Sequence, residues 1–228
     1  MSTLVATRPS ANSAESSTNT TTADIERFIA RQNGFIAGTS IEYDPSFICT
    51  GFENQHLATG FRIGQRFHSA KAVRLADGCP VPLGHLVKAD GRWRIFVFGN
   101  EQDPTRPSSN VYQSLKFLEH TASSPLRRYT PEGNDIDSVI DTYAVFQQEN
   151  LSLEDLGSLL WPAKGKYGLR DYEKVFFPQQ VEDIYEQRGI DRDSGCMIIV
   201  RPDQHVANVL PLTAYHELSV FFDSFMLA

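Results

Sequence analysis

The stretch Arg92-Trp93-Arg94-Ile95-Phe96-Val97-Phe98 decides the fold class. Trp93, Ile95 and Val97 alternate with Arg92, Arg94 and Phe96, the two-residue period of a β-strand, and Asp90-Gly91 just ahead supplies a turn. Upstream, AKAVRL (70–75), the turn Ala76-Asp77-Gly78 and PVPLGHL (80–86) read as a hairpin. Neither Pro80 nor Pro82 can donate to a ladder, so they hold the second arm at a sheet edge or make it irregular. Downstream, NEQDPTRPSS (100–109) is a loop, and 111–123 is helical with Val111, Leu115 and Leu118 on one face.

Residues 136–147 fit two readings. Ile136, Val139, Ile140 and Tyr143 have helical spacing, whereas Val139, Ile140, Thr142, Tyr143, Val145 and Phe146 make the β-branched and aromatic run of a buried strand. Ser152 is placed to cap a short helix that Pro162 stops after Leu160. AKGKYGLRD (163–171) is a turn-rich loop, EKVFF (173–177) a strand, and QVEDIYEQRG (180–189) a helix ending at Gly189. CMIIVRP (196–202) and HVANVLPL (205–212) form a second hairpin across a Pro-Asp-Gln turn. A last helix follows in AYHELSVFFDSFML (214–227), with Leu218, Phe221, Phe222 and Phe225 on one face.

From Trp93 onward the order is strand, helix, strand, short helix, strand, helix, hairpin, helix. An α/β domain with a mixed sheet, helices on its faces and a terminal hairpin plus helix is the thioredoxin-like arrangement. Redox members of that fold carry C-x-x-C after the first strand, where this chain has FGNEQDPTRPSS (98–109). Its three cysteines, Cys49, Cys79 and Cys196, are far apart, so no thiol redox motif or zinc knuckle is written. Each reads as a small buried hydrophobe in a reducing compartment.

The ends and the composition set further bounds. Residues 1–23 are dominated by Ser and Thr and read as a disordered tail. Residues 24–60 read as a joining segment, with Asp24 capping a short helix over Ile25, Phe28 and Ile29 before extended chain. Residues 61–228 are the domain proper. With 228 residues, 41% hydrophobic, the chain is long enough for a substantial core, and its formal charge of −7 argues against a nucleic-acid partner, which needs a basic face. No apolar run is long enough to cross a membrane and no secretory leader is seen. Neither nucleic acid nor membrane is expected as a partner, and a cytoplasmic location follows.

Several motifs, in this order, resemble one family. They are Gly64-x-Arg66, Ala76-Asp77, Gly84-His85, Ala89-Asp90-Gly91-Arg92-Trp93-Arg94, Gly189-Ile190-Asp191, and Arg201-Pro202-Asp203 with Val206. The chain resembles the C-terminal, thioredoxin-like dimerisation domain of flavin-dependent phenol 2-monooxygenases from about Ile25 onward. GFIAGTSIEYDPSFI (34–48) is similar to the segment that joins that domain to the flavin and substrate domain. The resemblance implies a dimer, or a subunit associated with a flavin monooxygenase. The flavin-binding G-x-G-x-x-G is not found; Gly60-Phe61-Arg62-Ile63-Gly64 has the wrong spacing, so no cofactor is expected of this chain.

Two functions compete at this level. One is an accessory or dimerisation partner of an aromatic flavin monooxygenase, in fungal secondary-metabolite or phenolic metabolism. The other is a cofactor-independent cyclase, isomerase or dehydratase acting on a small phenolic, quinone-methide or polyketide ligand. For the second, His68 and His85 flank the first hairpin as an acid–base pair, Tyr43 with Asp44 in the joining segment could polarise a carbonyl or phenol, and His56 in the same segment is a further catalytic candidate. Asp77 and Asp90 read as turn residues, and Arg201 with Asp203 as a structural ion pair. His205 and His216 lack partners at metal-ligand spacing.

Overall fold

Strand β3 (Trp93–Phe98) has both faces covered, because Ile95, Phe96, Val97 and Phe98 are all fully buried. In the computed structural model, residues 60–67 and 69–227 are described. The other elements of the main sheet are β1 (Lys71–Arg74), β2 (Pro80–Pro82), β4 (Ile140–Val145), β7 (Val175–Pro178), β8 (Cys196–Val200) and β9 (Val206–Leu210). A separate two-stranded hairpin pairs β5 (Ala163–Lys164) with β6 (Leu169–Arg170). The α-helices among the described residues are α1 (Asn110–His120), α2 (Pro125–Tyr129), α3 (Ile184–Gln187) and α4 (Tyr215–Asp223).

The main sheet has seven strands in the order β2-β1-β7-β4-β3-β8-β9. β3, β4 and β7 run parallel, while β8 and β9 on one side and β1 and β2 on the other are antiparallel. β3–α1–β4 is a crossover between parallel neighbours, and β8–β9–α4 closes the chain as hairpin plus helix; this is a thioredoxin-like topology, extended at one side by β7, β1 and β2. β2 is an edge strand, a position its two prolines tolerate because neither can donate to a further ladder.

The two faces carry two cores. On one, Ile95, Val97, Met197, Ile199 and Leu210 pack against Val111, Leu115 and Leu118 of α1 and Leu218, Phe221 and Phe222 of α4. Ser109 caps α1, accepting a hydrogen bond from Tyr112 N at 3.2 Å, and the Arg128 side chain and Tyr129 hydroxyl both reach Asp223, fastening α2 to α4. On the other face Phe96, Phe98, Tyr143, Val145, Phe176 and Ile198 lie under Phe61, Phe67, Leu83 and Tyr185. Rings run in a stack from Phe61 to Phe67 (5.4 Å), Phe96 (4.5 Å) and Tyr143 (5.2 Å).

Where 136–147 fitted helix or strand, the structure has strand β4, buried on both faces between β3 and β7. The helix expected after Ser152 is instead two 3₁₀ turns, Leu153–Asp155 and Ser158–Leu160, and Ser152 makes no side-chain cap. AKGKYGLRD is not simply a loop, since it forms β5 and β6 around Gly165 and Gly168, both with positive φ. The helix before Gly189 is a single short turn, α3. Cys196 is buried as expected, but Cys79 is exposed at the tip of the first hairpin. The helix expected from Asp24 and the extended joining segment lie outside the described residues, as does Cys49.

Candidate functional site

Of the four residues singled out for acid–base chemistry, His85 alone is among the described residues. Tyr43, His56 and His68 lie outside them, as does Asp44. His85 is exposed on a 3₁₀ turn (Leu83–Leu86), beside a groove of about 490 Å³ that is also lined by Arg66, Phe67, Ser69, Val87 and Gln204. Gln204 has positive φ, and its side chain ties the groove together: its oxygen accepts from Arg66 (2.6 Å) and its amide donates to the Val87 carbonyl (2.8 Å). Arg201 and Asp203 form the expected ion pair at the hairpin turn. No group of three or more candidate metal ligands occurs among the described residues.

The largest concentration of chemistry lies elsewhere, and follows from strand parity. Arg94, Phe96 and Phe98 point to one face of β3, and Asp141, Tyr143 and Val145 to the same face of β4, with Arg94 opposite Asp141 and Phe96 opposite Tyr143. Lys174, just ahead of β7, joins them. Its ammonium pairs with Asp141, with Asp137 at 2.8 Å and with Asp171 at 3.4 Å. Arg92 bridges Asp141 (3.1 Å) and Asp90 (2.8 Å), Arg94 reaches Asp90 (2.7 Å), and Lys164 pairs with Asp137 and Asp171. Four cations and four carboxylates thus form one connected network, with Arg94, Asp137, Asp141 and Lys174 essentially out of contact with water.

Electrostatics hold Lys174, Asp90 and Asp137 charged and keep the Tyr143 phenol protonated. Burial alone would lower the pKa of Lys174, but the charges of Asp141 and Asp137 outweigh it and raise it above its usual 10.5. Burial and the Asp141 charge push the Tyr143 phenol up from 10.0; its hydroxyl donates to Asp141 at 3.0 Å. Burial opposes ionisation of Asp90, yet hydrogen bonds from Arg92 and Arg94 hold its carboxyl at about 2. Asp137 is lowered because Lys174 and Lys164 overcome its desolvation. A general acid or base works best with a pKa near the ambient pH. These shifts run away from neutrality, so the arrangement fixes structure: it ties β3, β4 and β7 to the loop at 135–139 and to the β5–β6 hairpin.

The end of β3, where a redox thioredoxin holds its dithiol, is closed by structural hydrogen bonds. The Tyr185 hydroxyl donates to the carbonyls of Gly99 (2.8 Å) and Val145 (2.9 Å), and Gln147 donates to the carbonyls of Gly99 (3.0 Å) and Arg192 (2.8 Å). Gly195 sits against this turn with φ +61°, where a Cβ would come within 2.4 Å of the Phe98 oxygen.

The network was missed from sequence, although a signal was present. Arg94 shares parity with Phe96 and Phe98, and Asp141 with Tyr143 and Val145, so charges interrupt two apolar faces at adjacent positions.

Fold and site together define a thioredoxin-like α/β domain without the dithiol, its sheet sealed at one end by buried ion pairs. The family model for the phenol hydroxylase C-terminal dimerisation domain matches residues 41–228, and the chain belongs to that family. It is 47% identical over 210 residues to the 3-hydroxybenzoate 4-monooxygenase of Comamonas testosteroni, covering 90% of this chain and 33% of that protein. To the FAD-dependent monooxygenase terD of Aspergillus terreus it is 31% identical over 211 residues, covering 89% and 34%. The chain therefore spans about a third of the length of these relatives. Among solved structures it is similar to the thioredoxin domain of a thiol-disulfide oxidoreductase from Bacteroides vulgatus, at 15% identity and a TM-score of 0.44, covering 73% of this chain and 99% of that one. No helix among the described residues is long and apolar enough to cross a membrane.

Proposed function

We propose that this chain is an association module of an aromatic flavin monooxygenase: it pairs with a second copy of itself and thereby holds flavin-bearing catalytic units together in phenolic metabolism. The observation that carries this reading is the family match over 41–228. It is supported by a domain whose buried Lys174 and Asp137 have pKa values moved away from neutrality and whose dithiol position is occupied by hydrogen-bonded backbone. Relatives named as an aromatic-acid hydroxylase and an FAD-dependent monooxygenase support the same class of assembly.

Sedimentation velocity on the 228-residue chain across a wide concentration range tests the reading. A reversible dimer is expected. Native mass spectrometry of the tagged protein from its host is expected to find it in a complex containing flavin. A monomer at every concentration, recovered without flavoprotein, overturns the proposal.

A further inference from the structure

Half of the large apolar side chains exposed among the described residues fall within six consecutive positions. Tyr167, Leu169 and Tyr172 stand on or beside the β5–β6 hairpin, 78%, 70% and 46% exposed. Such a patch on a small projecting element marks a contact surface. The hairpin is also fixed in place. Lys164 ties it to Asp137 and Asp171, Gly165 N donates to Asp135 at 3.0 Å, and the Arg170 guanidinium lies 4.5 Å from the centre of the Trp161 ring. An arm already ordered loses little entropy when it docks.

Its outward charge runs against that of the chain. Lys166, over the Tyr167 ring at 4.7 Å, and Arg170 make the arm cationic, while the whole chain carries −7. A notch of about 290 Å³ at the carboxyl end of β3 and β4 has the opposite character, with Glu101 and Asp155 around Leu151, beside Asp103, which is itself paired with Arg106. We propose that the β5–β6 hairpin of one copy seats in this acidic notch of a second copy, Lys166 facing the carboxylates and Leu169 meeting Leu151. Arm and seat are different patches, so a two-fold axis makes the contact twice and closes the dimer. Opposite charge sets the orientation, and the apolar side chains supply the affinity. The inference rests on the self-association reading above and names its surface.

Sedimentation equilibrium on the full chain and its variants tests it, with circular dichroism confirming that each variant is folded. Tyr167→Ala and Leu169→Ala are each expected to weaken the dimer roughly tenfold or more, the range of interface anchors. Lys166→Glu and Asp155→Lys are each expected to weaken it as well. Mixing those two variants is expected to restore association, because one contact then pairs the reversed charges and the other is native. A wild-type chain that stays monomeric overturns the self-association reading itself. A dimer indifferent to Tyr167 and Leu169 overturns the hairpin as the arm. A dimer sensitive to the hairpin but not restored by the mixture overturns the notch as its seat.

Discussion

The ammonium of Lys174, just ahead of β7, is paired with the carboxylate of Asp141 on β4, with both side chains almost wholly shut off from water. Removing one member of such a pair strands the other as a buried charge, which costs about 3–5 kcal/mol. Lys174→Met is therefore expected to lower stability by about that much, enough to threaten folding at ambient temperature. Urea unfolding followed by tryptophan fluorescence checks it. A loss below about 1 kcal/mol would mean that the remaining cations, Arg92 and Lys164, compensate.

Acid stability follows from the depressed carboxyls. Asp90 has a folded pKa of about 2 against 3.8 in an unfolded chain, and Asp137 and Asp203 are also lowered. A depressed carboxyl pKa stabilises the fold at and above the unfolded value, and the contribution is lost as pH falls through the folded value. Urea midpoints are expected to hold between about pH 5 and 7, then drop from about pH 4 toward 2. Asp90→Asn should flatten that acid limb while lowering the plateau. An unchanged limb would exonerate Asp90.

At alkaline pH the sign reverses. Burial and Asp223 raise the Tyr129 hydroxyl to about 12, and Lys174 and Tyr143 are raised too. Raised values give stability that is complete below the unfolded pKa near 10 and lost as pH climbs through the folded one. Spectrophotometric titration of tyrosine should show a class that ionises only near pH 12 or with unfolding. Full ionisation by about pH 11 without loss of structure would contradict the burial of these hydroxyls.

Two glycines with the same backbone sign separate conformation from space. Gly91 has φ +81° with nothing near a Cβ, so Gly91→Ala is expected to cost only the left-handed penalty of about 1–2 kcal/mol. Gly195→Ala adds a collision with the Phe98 oxygen and Asn100 nitrogen. It should cost well beyond that, or prevent folding. Equal thermal midpoints for the two variants would show that the turn at Gly99 yields easily.

Cysteine chemistry should split by burial. Cys196 is fully covered and its thiol is pushed up to about 12, whereas Cys79 is exposed. Iodoacetamide labelling with peptide mapping is expected to mark Cys79 in the native protein and Cys196 only in denaturant. Native labelling of Cys196 would reveal opening of the β3–β8 face.

Elements governed by local pattern were readable: β3, α1, the hairpin β8–β9 and the apolar face of α4 follow from spacing alone. The prolines at 80 and 82 mark a strand that is either at an edge or irregular, and the sheet order makes it an edge. What was hidden depended on partners distant in sequence. β4 was ambiguous because burial on both faces erases alternation. The β5–β6 hairpin was read as loop because its strands are two residues long and held by Lys164 and Asp135 rather than by apolar packing. Asp90 was read as a turn residue, which it is, but its guanidinium partners Arg92 and Arg94 reach deeper than a turn requires. The charge network escaped because Asp137, Asp141, Lys164, Asp171 and Lys174 converge only once β7 lies beside β4.

Since the four cations and four carboxylates of that network cancel, the whole formal charge of −7 belongs to the rest of the chain. Dissolved salt screens exposed charges over a Debye length of about 8 Å in physiological medium and reaches the partly exposed Asp90, Arg92, Lys164 and Asp171, but hardly the buried Arg94, Asp137, Asp141 and Lys174. The fold and the outer surface consequently answer to different solvents. Raising ionic strength leaves the buried pairs at the centre of the network largely unscreened while it mutes whatever the acidic exterior attracts or repels.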